Sequence, residues 1–357
     1  MEIRPVIASY TGETYRAIRA HLRAEVLRLI VRIAEAPLPA AEFDRRVVGE
    51  LIAMRVLREV DGMVRLDTAV FSEDDIIRIN AVVAPLGRQL AAALADVVAP
   101  LRDVPPETVT FLVGVLGVQQ SLGEVLRESG LAVDWAAFGG TYARSKVDFH
   151  AVCDAQEALG PDLLNKSVFR GARYSAVFIG PGGRSYLLRP DAASGAASGV
   201  AGDAAGDAAG NTPDDVAALN TYLTDAYAAL LAGTLDDAAL RSAAERVGLW
   251  RDGAPAAPVI TPETMARYAP TVDAVGAITA SQFVDKMGTM RALLASTTSG
   301  RQGVPPENMM LHLWRYVRRS IARGLYAEGI LTDRLPDTGL TTVFYANDVT
   351  LLARLLA

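Results

Sequence analysis

The feature of this sequence that most constrains the fold is a helix-to-hairpin pattern at residues 48–68. An apolar, helix-favouring run ends at Asp61-Gly62, and the residues that follow, "MVRLDT", alternate between apolar and polar side chains. An Asp-Gly pair favours a tight hairpin turn because both residues tolerate a positive φ. Alternation with a period of two is typical of a strand with one buried face. The pattern predicts a helix at residues 48–60 and a hairpin at residues 58–68.

Two helical segments precede this pattern. Apolar residues recur at helical spacing within residues 13–36, which predicts one long amphipathic helix. Pro37 and Pro39 interrupt it, and residues 40–46 indicate a short second helix. After the hairpin, "SEDD" places Ser72 three residues before Asp75, a spacing close to a capping box, and a long helix should begin there.

Three helices followed by a hairpin resemble the winged helix-turn-helix domain of bacterial transcriptional regulators. The resemblance covers residues 13–97 and is carried by the order of "VLRLIVRIAEAPLPAAEFDRRV", "VGELIAMRVLREV" and "DGMVRLDT". It implies a dimer that places the third helix in the major groove of double-stranded DNA. The hairpin would then be a wing against the DNA backbone or minor groove.

Five arginines would form the DNA-binding surface that this resemblance implies: Arg45, Arg46, Arg55, Arg58 and Arg65. Arg55 and Arg58 lie three residues apart, so on a helix they share a face. Five residues should be buried on the opposite face: Ile52, Ala53, Val56, Leu57 and Val60. An arginine can bind a guanine edge or clamp a phosphate. The exposed face also carries Glu50, Leu51 and Glu59 and has no amide or hydroxyl group, so a solvated face without DNA contact remains an alternative.

The rest of the chain is predicted to be mostly helical, with one hairpin. Residues 138–159 and most of the chain after residue 213, including residues 341–356, show helical patterns. Residues 173–179 and 184–189 indicate two strands joined by "GPGG". Residues 191–211 are almost entirely Ala, Gly, Ser and Asp, so they bury too little apolar surface to offset their ordering entropy.

These patterns predict a mainly α fold in four regions. Residues 1–98 form the winged helix-turn-helix domain, and residues 99–190 form a helical region with a β-hairpin. Residues 191–212 form a flexible loop, and residues 213–357 form a helical C-terminal region. Hydrophobic residues make up 51% of the chain and aromatic residues only 6%, so Ala, Leu and Val must supply most of the core, which favours helices.

Charge and hydropathy limit the function classes. A formal net charge of -6 argues against non-specific nucleic-acid binding by the whole chain but leaves room for a local basic surface. A single cysteine, Cys153, excludes an intramolecular disulfide and fits a reducing compartment. No apolar run approaches the roughly 20 residues that a membrane span needs. We therefore expect a cytoplasmic protein without a membrane partner.

The segment "DFHAVCD" holds the only candidates for enzymatic or metal chemistry, Asp148, His150 and Cys153. On a helix, His150 and Cys153 would present two ligands from one face. The chain has only three histidines and one cysteine, so a closed site would need carboxylates or a second chain. A buried cysteine packed as a small hydrophobic residue explains Cys153 equally well. We expect no enzymatic activity, no metal and no cofactor.

Two weaker binding surfaces are also indicated. Four residues around "GPGG" would form one wall of a ligand pocket, although a glycine-rich turn explains the same segment: Tyr174, Phe178, Arg184 and Tyr186. Three arginines at a spacing of four residues would form a basic stripe on a helix, unless they are only a solvated face: Arg315, Arg319 and Arg323.

The sequence thus predicts a cytoplasmic, dimeric, DNA-binding transcriptional regulator. Its C-terminal region would sense a small-molecule effector or bind a protein partner. The alternative is a helical protein-interaction or assembly protein, including one that binds RNA in the manner of a nucleoprotein, without sequence-specific DNA binding.

Overall fold

The computed structural model describes residues 1–9, 12–133, 142, 145–156, 158–180, 213–246, 248–332 and 341–347. The fold is mainly α-helical with small β-sheets, and the chain divides into two compact units. The first unit comprises Met1–Leu86, Gly123–Gly160 and Gln282–Ser320, and the second comprises Gly87–Leu122, Pro161–Ser281 and Ile321–Ala357. Each unit is therefore built from three separate stretches of chain, whereas the sequence-based boundaries divide the chain into consecutive regions.

Helices account for most of the described residues. They are α1 (Gly12–His21), α2 (Ala24–Glu35), α3 (Arg45–Ala53), α4 (Glu73–Leu94), α5 (Pro106–Val109), α6 (Gln120–Glu128), α7 (Pro213–Leu231), α8 (Ala238–Arg246), α9 (Pro262–Val284), α10 (Met287–Ala295), α11 (Thr298–Arg301) and α12 (Pro306–Ala327). A π-helical segment, Thr110–Gln119, joins α5 to α6. Short 3₁₀ turns occur at Ala40–Glu42, Ala99–Leu101 and Asp154–Gln156.

The strands are short. They are β1 (Ile3–Ser9), β2 (Leu38–Pro39), β3 (Leu57–Val60), β4 (Met63–Leu66), β5 (Val70–Phe71), β6 (Ser145–Ala151), β7 (Lys166–Arg170), β8 (Tyr174–Ile179), β9 (Trp250–Arg251), β10 (Ala254–Pro255), β11 (Val259–Ile260) and β12 (Thr341–Ala346). The first unit contains the sheets β1-β6-β5 and β2-β4-β3, and the second contains β11-β12-β8-β7 and the pair β10-β9.

The hairpin predicted at residues 58–68 is confirmed. Strands β3 and β4 pair antiparallel, with Leu57 opposite Leu66 and Val60 opposite Met63. Asp61 and Gly62 join them with φ values of 54° and 71°, as the two-residue turn requires. Strand β2 pairs with the other edge of β4, so the chain immediately before α3 returns to the hairpin.

The predicted third helix at residues 48–60 is wrong in its second half. Helix α3 ends at Ala53, Arg55 has a φ of 57°, and Leu57 begins β3. A left-handed residue ends a helix, and the apolar run after it is buried from a strand. The predicted burial is also wrong at three positions, since Leu51 is 1% exposed, Val60 is 40% exposed and Ala53 is exposed as well. Arg55 and Arg58 therefore share no helical face.

The first two predicted helices also change. The helix expected at residues 13–36 is two helices, α1 and α2, because the chain is extended at Arg23. Its apolar stripe is nevertheless buried at Ile18, Ile30 and Ile33. The short helix expected at residues 40–46 is only the 3₁₀ turn, and α3 begins within that range at Arg45.

The helix predicted at residues 138–159 is wrong, because the described part of this range contains strand β6. Strand β6 is the centre of its sheet: it pairs antiparallel with β1 from Ile3↔Ala151 to Ser9↔Ser145 and parallel with β5 at Val70↔Phe149. All seven of its residues are buried. The segment "SKVDFHA" alternates as a strand does, but one of its two buried faces carries the polar residues Lys146, Asp148 and His150. The segment was therefore not recognised from its sequence as a buried strand.

In the second unit, β8 confirms the strand predicted at residues 173–179, but its partners were not predicted. It pairs with β7 on one side and with β12 on the other. The helix predicted at residues 341–356 is wrong at 341–346, which form β12. The predicted strand at residues 184–189 and the predicted flexible loop lie outside the described residues.

The sheet of the second unit has a helical layer on each face. Helix α7 packs with Ala176, Phe178 and Phe344 in a hydrophobic core. From the π-helical segment, Phe111 stacks on Tyr345 with 5.8 Å between ring centroids. Since successive strand residues face opposite sides, these two sets of contacts enclose the sheet.

The expectation that no apolar run approaches the length of a membrane span is wrong by length and composition, because within the described ranges the helix Pro106–Glu128, with 23 residues, meets both criteria. In the structure, 78% of its most apolar window is buried, so this helix packs within the protein core. Gly117 allows close packing there, because a Cβ atom would lie 2.4 Å from Cγ1 of Val275.

Candidate nucleic-acid interface

Arg55, predicted to contact DNA, forms an ion pair within its own chain. Its Nε donates to Oδ2 of Asp67 at 2.8 Å, which joins the turn after α3 to the end of the hairpin. The Asp67 side chain is only 10% exposed. Burial raises the pKa of Asp67, although the charge and hydrogen bond of Arg55 oppose that rise. The first role of Arg55 is thus to hold the base of the hairpin.

Arg58 also binds its own chain. It lies on β3, and its guanidinium donates to the carbonyl oxygens of Gln302 at 3.1 Å and Gly303 at 3.0 Å. These carbonyls hold the side chain against the loop that follows α11, in the same compact unit. A guanidinium held in this way has fewer donors available for a guanine edge or a phosphate.

Gln302, which the sequence did not single out, is the centre of this contact. Its Nε2 donates to the carbonyl oxygens of Ile33 at 2.5 Å and Ala34 at 2.9 Å, at the end of α2. Its Oε1 accepts from the backbone N–H of Leu66 at 3.4 Å. One amide side chain therefore ties α2 to the hairpin. A glutamine in a polar loop gives no sequence signal of such a role.

Arg65 lies directly opposite Arg58 across the two strands. Like charges in this position repel each other. The two carbonyl groups offset the charge of Arg58, while Nε of Arg65 is buried and has no hydrogen-bond partner in the part of the chain that the structure describes. Arg65 is half-buried, so part of its guanidinium faces solvent.

Arg45 and Arg46 are the two predicted DNA-binding residues that remain exposed on a helix. They begin α3, and the side chain of Asp44 caps it by accepting from the backbone N–H of Arg46 at 2.7 Å. The exposed face of α3 continues through Gly49 and Ala53, which are small. Two exposed arginines at a helix N-terminus attract anions, whereas the Asp44 carboxylate that caps this helix opposes them.

The tip of the hairpin is acidic, in contrast to the two arginines at the start of α3. Glu59, Val60 and Asp61 are all exposed. Two carboxylates at the tip repel anions such as phosphate.

A buried polar row on β6 holds two of the candidates for chemistry. Lys146, Asp148 and His150 alternate along the strand, so they share one face, and each is at most 5% exposed. Lys146 Nζ lies 2.5 Å from Oδ1 of Asp148 and donates to Oγ1 of Thr68 at 2.8 Å. The same Oδ1 accepts from the backbone N–H of Ala69 at 3.0 Å. The sequence pattern missed Lys146 because it treated this segment as a helix, and it missed Thr68 because that residue, at the end of the predicted hairpin, is distant from β6 in sequence.

His150 is held by aromatic contacts. Its Nδ1 is 2.9 Å from the hydroxyl of Tyr316, and the two rings stack with centroids 5.6 Å apart. The ring of Phe71 approaches edge-on at 5.3 Å. Burial raises the pKa of Tyr316, which keeps its hydroxyl neutral.

Cys153 lies after β6 rather than on a shared helical face with His150, and it is half-buried. The premise of two metal ligands from one helix is therefore wrong. Across the described residues, no group of three His, Cys, Asp or Glu side chains is placed to hold a metal ion.

The predicted pocket wall is only partly described. Phe178 is fully buried and packs edge-on against Phe169 at 5.4 Å, so it is a core residue. Tyr174 is half-buried at the start of β8, where Asp225 accepts its backbone N–H at 2.8 Å. Arg184 and Tyr186 lie outside the described residues.

The predicted basic stripe lies on α12. Arg315 and Arg319 are half-buried, and Arg323 is exposed. The apolar stripe beside it is confirmed, since Leu313, Val317, Ile321 and Leu325 are all buried. Burial of the arginine stems against the fold indicates a packed amphipathic helix.

Comparison with known proteins adds no family to this picture. No family model matches the chain, and neither the curated proteins nor the solved structures contain a match.

Proposed function

We propose that this chain is a DNA-binding transcriptional regulator that contacts phosphate groups through the N-terminal end of α3. Helix α2, a turn, helix α3 and the β3–β4 hairpin follow one another in the order of the winged helix-turn-helix domains that the sequence resembles. The observation that carries the proposal is the pair Arg45 and Arg46, exposed at the first turn of α3. The two guanidinium groups supply the anion-binding groups, since the Asp44 carboxylate already accepts the N–H of Arg46.

The proposal divides the five arginines by role. Arg45 and Arg46 contact DNA, and Arg65 on β4 is a weaker contact. Arg55 and Arg58 hold the hairpin through Asp67 and through the carbonyls of the 302–303 loop. The exposed face of α3 carries no amide or hydroxyl side chain, so phosphate contacts supply most of the affinity.

Salt-dependent binding tests this division. Binding of a labelled fragment from upstream of the coding sequence would be followed by fluorescence anisotropy across a salt series. We expect the double variant Arg45→Ala, Arg46→Ala to bind more weakly. Its plot of log affinity against log salt should flatten by about 2, because each phosphate contact contributes about 0.9 to the slope.

A charge-matched variant provides the control. Arg102→Ala, Arg127→Ala removes two exposed arginines elsewhere, so it should leave affinity and slope near those of the unmodified protein. Equal weakening in both double variants would show that only net charge matters. Equal affinity for an unrelated fragment would contradict a regulatory role.

The proposal also includes a dimer in the cytoplasm, whose C-terminal region senses a small-molecule effector or binds a protein partner. The two winged helix-turn-helix domains of such a dimer would bind two DNA half-sites that lie about one turn of the double helix, roughly 34–36 Å, apart. Sedimentation equilibrium of the free protein tests the dimer, and a monomer at micromolar concentration would contradict it.

A second function, protein interaction or assembly, is favoured by exposed apolar side chains on α7. Leu219 is 41% exposed and Tyr222 is 66% exposed, and their spacing places them on one side of the helix. Multi-angle light scattering without nucleic acid tests this function. Assembly predicts large species that dissociate in Tyr222→Glu, whereas a small species of constant mass would contradict it.

A further inference from the structure

We propose that Lys146 and Asp148 become joined by an intramolecular amide bond, an isopeptide, inside the first unit. The proposal is independent of DNA binding and concerns a modification of the buried row on β6. Both side chains lie on the same face of β6, separated by Val147. They are 2% and 0% exposed.

The first requirement is close approach of the amine to the carboxyl carbon. Lys146 Nζ lies 2.5 Å from Oδ1 of Asp148. Since Oδ1 is one bond from Cγ, Nζ can be no more than about 3.7 Å from Cγ. Distances of about 3–3.5 Å between reacting atoms are those at which an intramolecular reaction gains most from proximity.

The second requirement is a reactive amine, and the dry surroundings favour it. Two charges buried together are costly, because their mutual attraction only partly replaces lost hydration. Proton transfer from the ammonium to the carboxylate produces a neutral amine and a neutral acid. A neutral amine has the lone pair that attacks a carbonyl carbon.

The third requirement is stabilisation of the oxyanion that forms on Oδ1. The backbone N–H of Ala69 donates to this oxygen at 3.0 Å, and the Thr68 hydroxyl contacts it as well. Thr68 Oγ1 also accepts from Lys146 Nζ at 2.8 Å, so it positions the amine beside the acid. Fixed donors directed at a developing oxyanion are the main electrostatic contribution in acyl transfer.

The reaction balances without any co-reactant. Nζ forms a bond to Cγ, and the bond from Cγ to Oδ2 breaks. One of the three ammonium protons stays on the amide nitrogen, and two leave with Oδ2 as water. The product is a neutral amide, so the modification removes two buried charges. Exclusion of bulk water from the fully buried site protects the amide against hydrolysis.

Mass spectrometry of the intact, denatured protein tests the proposal. After prolonged incubation of the folded protein at neutral pH, we expect its mass to fall below the sequence mass by one water molecule. Trypsin should then fail to cleave after Lys146, and fragment spectra should place the loss on a peptide that contains both residues.

Two variants separate this reaction from other losses of water. Lys146→Arg keeps the positive charge but lacks the amine, so it should retain its full mass. Asp148→Ala lacks the carboxyl carbon that the amine attacks, so it should also retain its full mass, and a loss of water in this variant would overturn the proposal. A full mass for the unmodified chain after incubation would overturn the proposal. A loss of water that persists in Lys146→Arg would also overturn it, because the loss would then be a succinimide elsewhere.

Discussion

The two small sheets of the first unit hold their charged side chains in opposite ways. In the sheet β2-β4-β3, Arg58 binds two backbone carbonyls and remains partly exposed. In the sheet β1-β6-β5, Lys146 and Asp148 are almost completely buried and bind each other. Water screens the first arrangement, whereas the second depends entirely on its protein partners. The degree of burial therefore sets how much each charged side chain contributes to the free energy of unfolding, more than the residue type does.

The largest expected effect is in the buried row. Asp148→Ala leaves Lys146 buried without its carboxylate, so we expect the free energy of unfolding to fall by about 3–5 kcal/mol. Urea denaturation followed by circular dichroism measures it. Asp103→Ala, at an exposed carboxylate, should change stability by no more than about 0.5 kcal/mol. If Asp148→Ala lowered the free energy of unfolding as little as Asp103→Ala, the buried pair would be no more important for stability than an exposed charge.

Asp75 is an intermediate case, because its buried carboxylate binds a partly exposed arginine. It is 1% exposed and accepts from the backbone N–H groups of Ser72 and Thr298, each at 3.0 Å, and from Arg78. Asp75→Asn should cost about 1.5–3 kcal/mol at neutral pH, as expected for a hydrogen bond to a charged group. Asp74→Asn, its exposed neighbour, is the control.

The destabilisation caused by Asp75→Asn should depend on pH, which provides a second test. Burial alone would raise the pKa of Asp75, but hydrogen bonds from Thr298 and Ser72 outweigh it, and the net pKa lies below the usual 3.8. The stabilisation is therefore fully present above pH 3.8 and is lost as the pH falls through the lower, folded value. Denaturation curves of both proteins should converge in acid, and a gap that widens there would contradict this assignment.

A smaller effect is expected at the loop that holds Arg58. Gln302→Ala removes the donor to Ile33 and Ala34 and the acceptor of Leu66 N–H, so we expect a loss of about 1–3 kcal/mol. Gln89→Ala, on the exposed side of α4, should be nearly neutral. Hydrogen exchange of Leu66 N–H would show whether the hairpin itself loosens, and unchanged protection would contradict the role of Gln302.

The smallest effect has the opposite sign. Arg65→Thr removes the repulsion with Arg58 and places a strand-favouring residue on β4, so it should stabilise the protein by about 0.2–1 kcal/mol. Arg58→Thr removes the same repulsion but leaves the carbonyls of Gln302 and Gly303 without their donor, so it should destabilise. Thermal unfolding of the two variants tests this prediction. A shift of both melting temperatures in the same direction would contradict it.

Local patterns predicted several elements correctly. The Asp61-Gly62 turn, the cap formed by Ser72 and Asp75 and the strand at Tyr174–Ile179 all occur. Each depends on residues that are neighbours in sequence. Turn conformation and helix capping are short-range effects, so the residues themselves encode them.

The errors have a common physical cause. Strands β6 and β12 were predicted to be helices from their local patterns. A strand is stabilised by partners that are distant in sequence, and a local pattern does not show those partners. Strand β6 pairs with residues near the N-terminus, and β12 pairs with Tyr174–Ile179. Arg55 and Arg58 were likewise placed on a helix, and their partners, Asp67 and the 302–303 loop, have no local sequence signal.

The sequence by itself determined the mainly helical character and the hairpin with its Asp61-Gly62 turn. Only the tertiary structure decided that Arg58 binds its own chain and that Lys146 faces Asp148 without water. Propensity and turn geometry act between neighbours, whereas burial and charge pairing depend on which distant segments pack together.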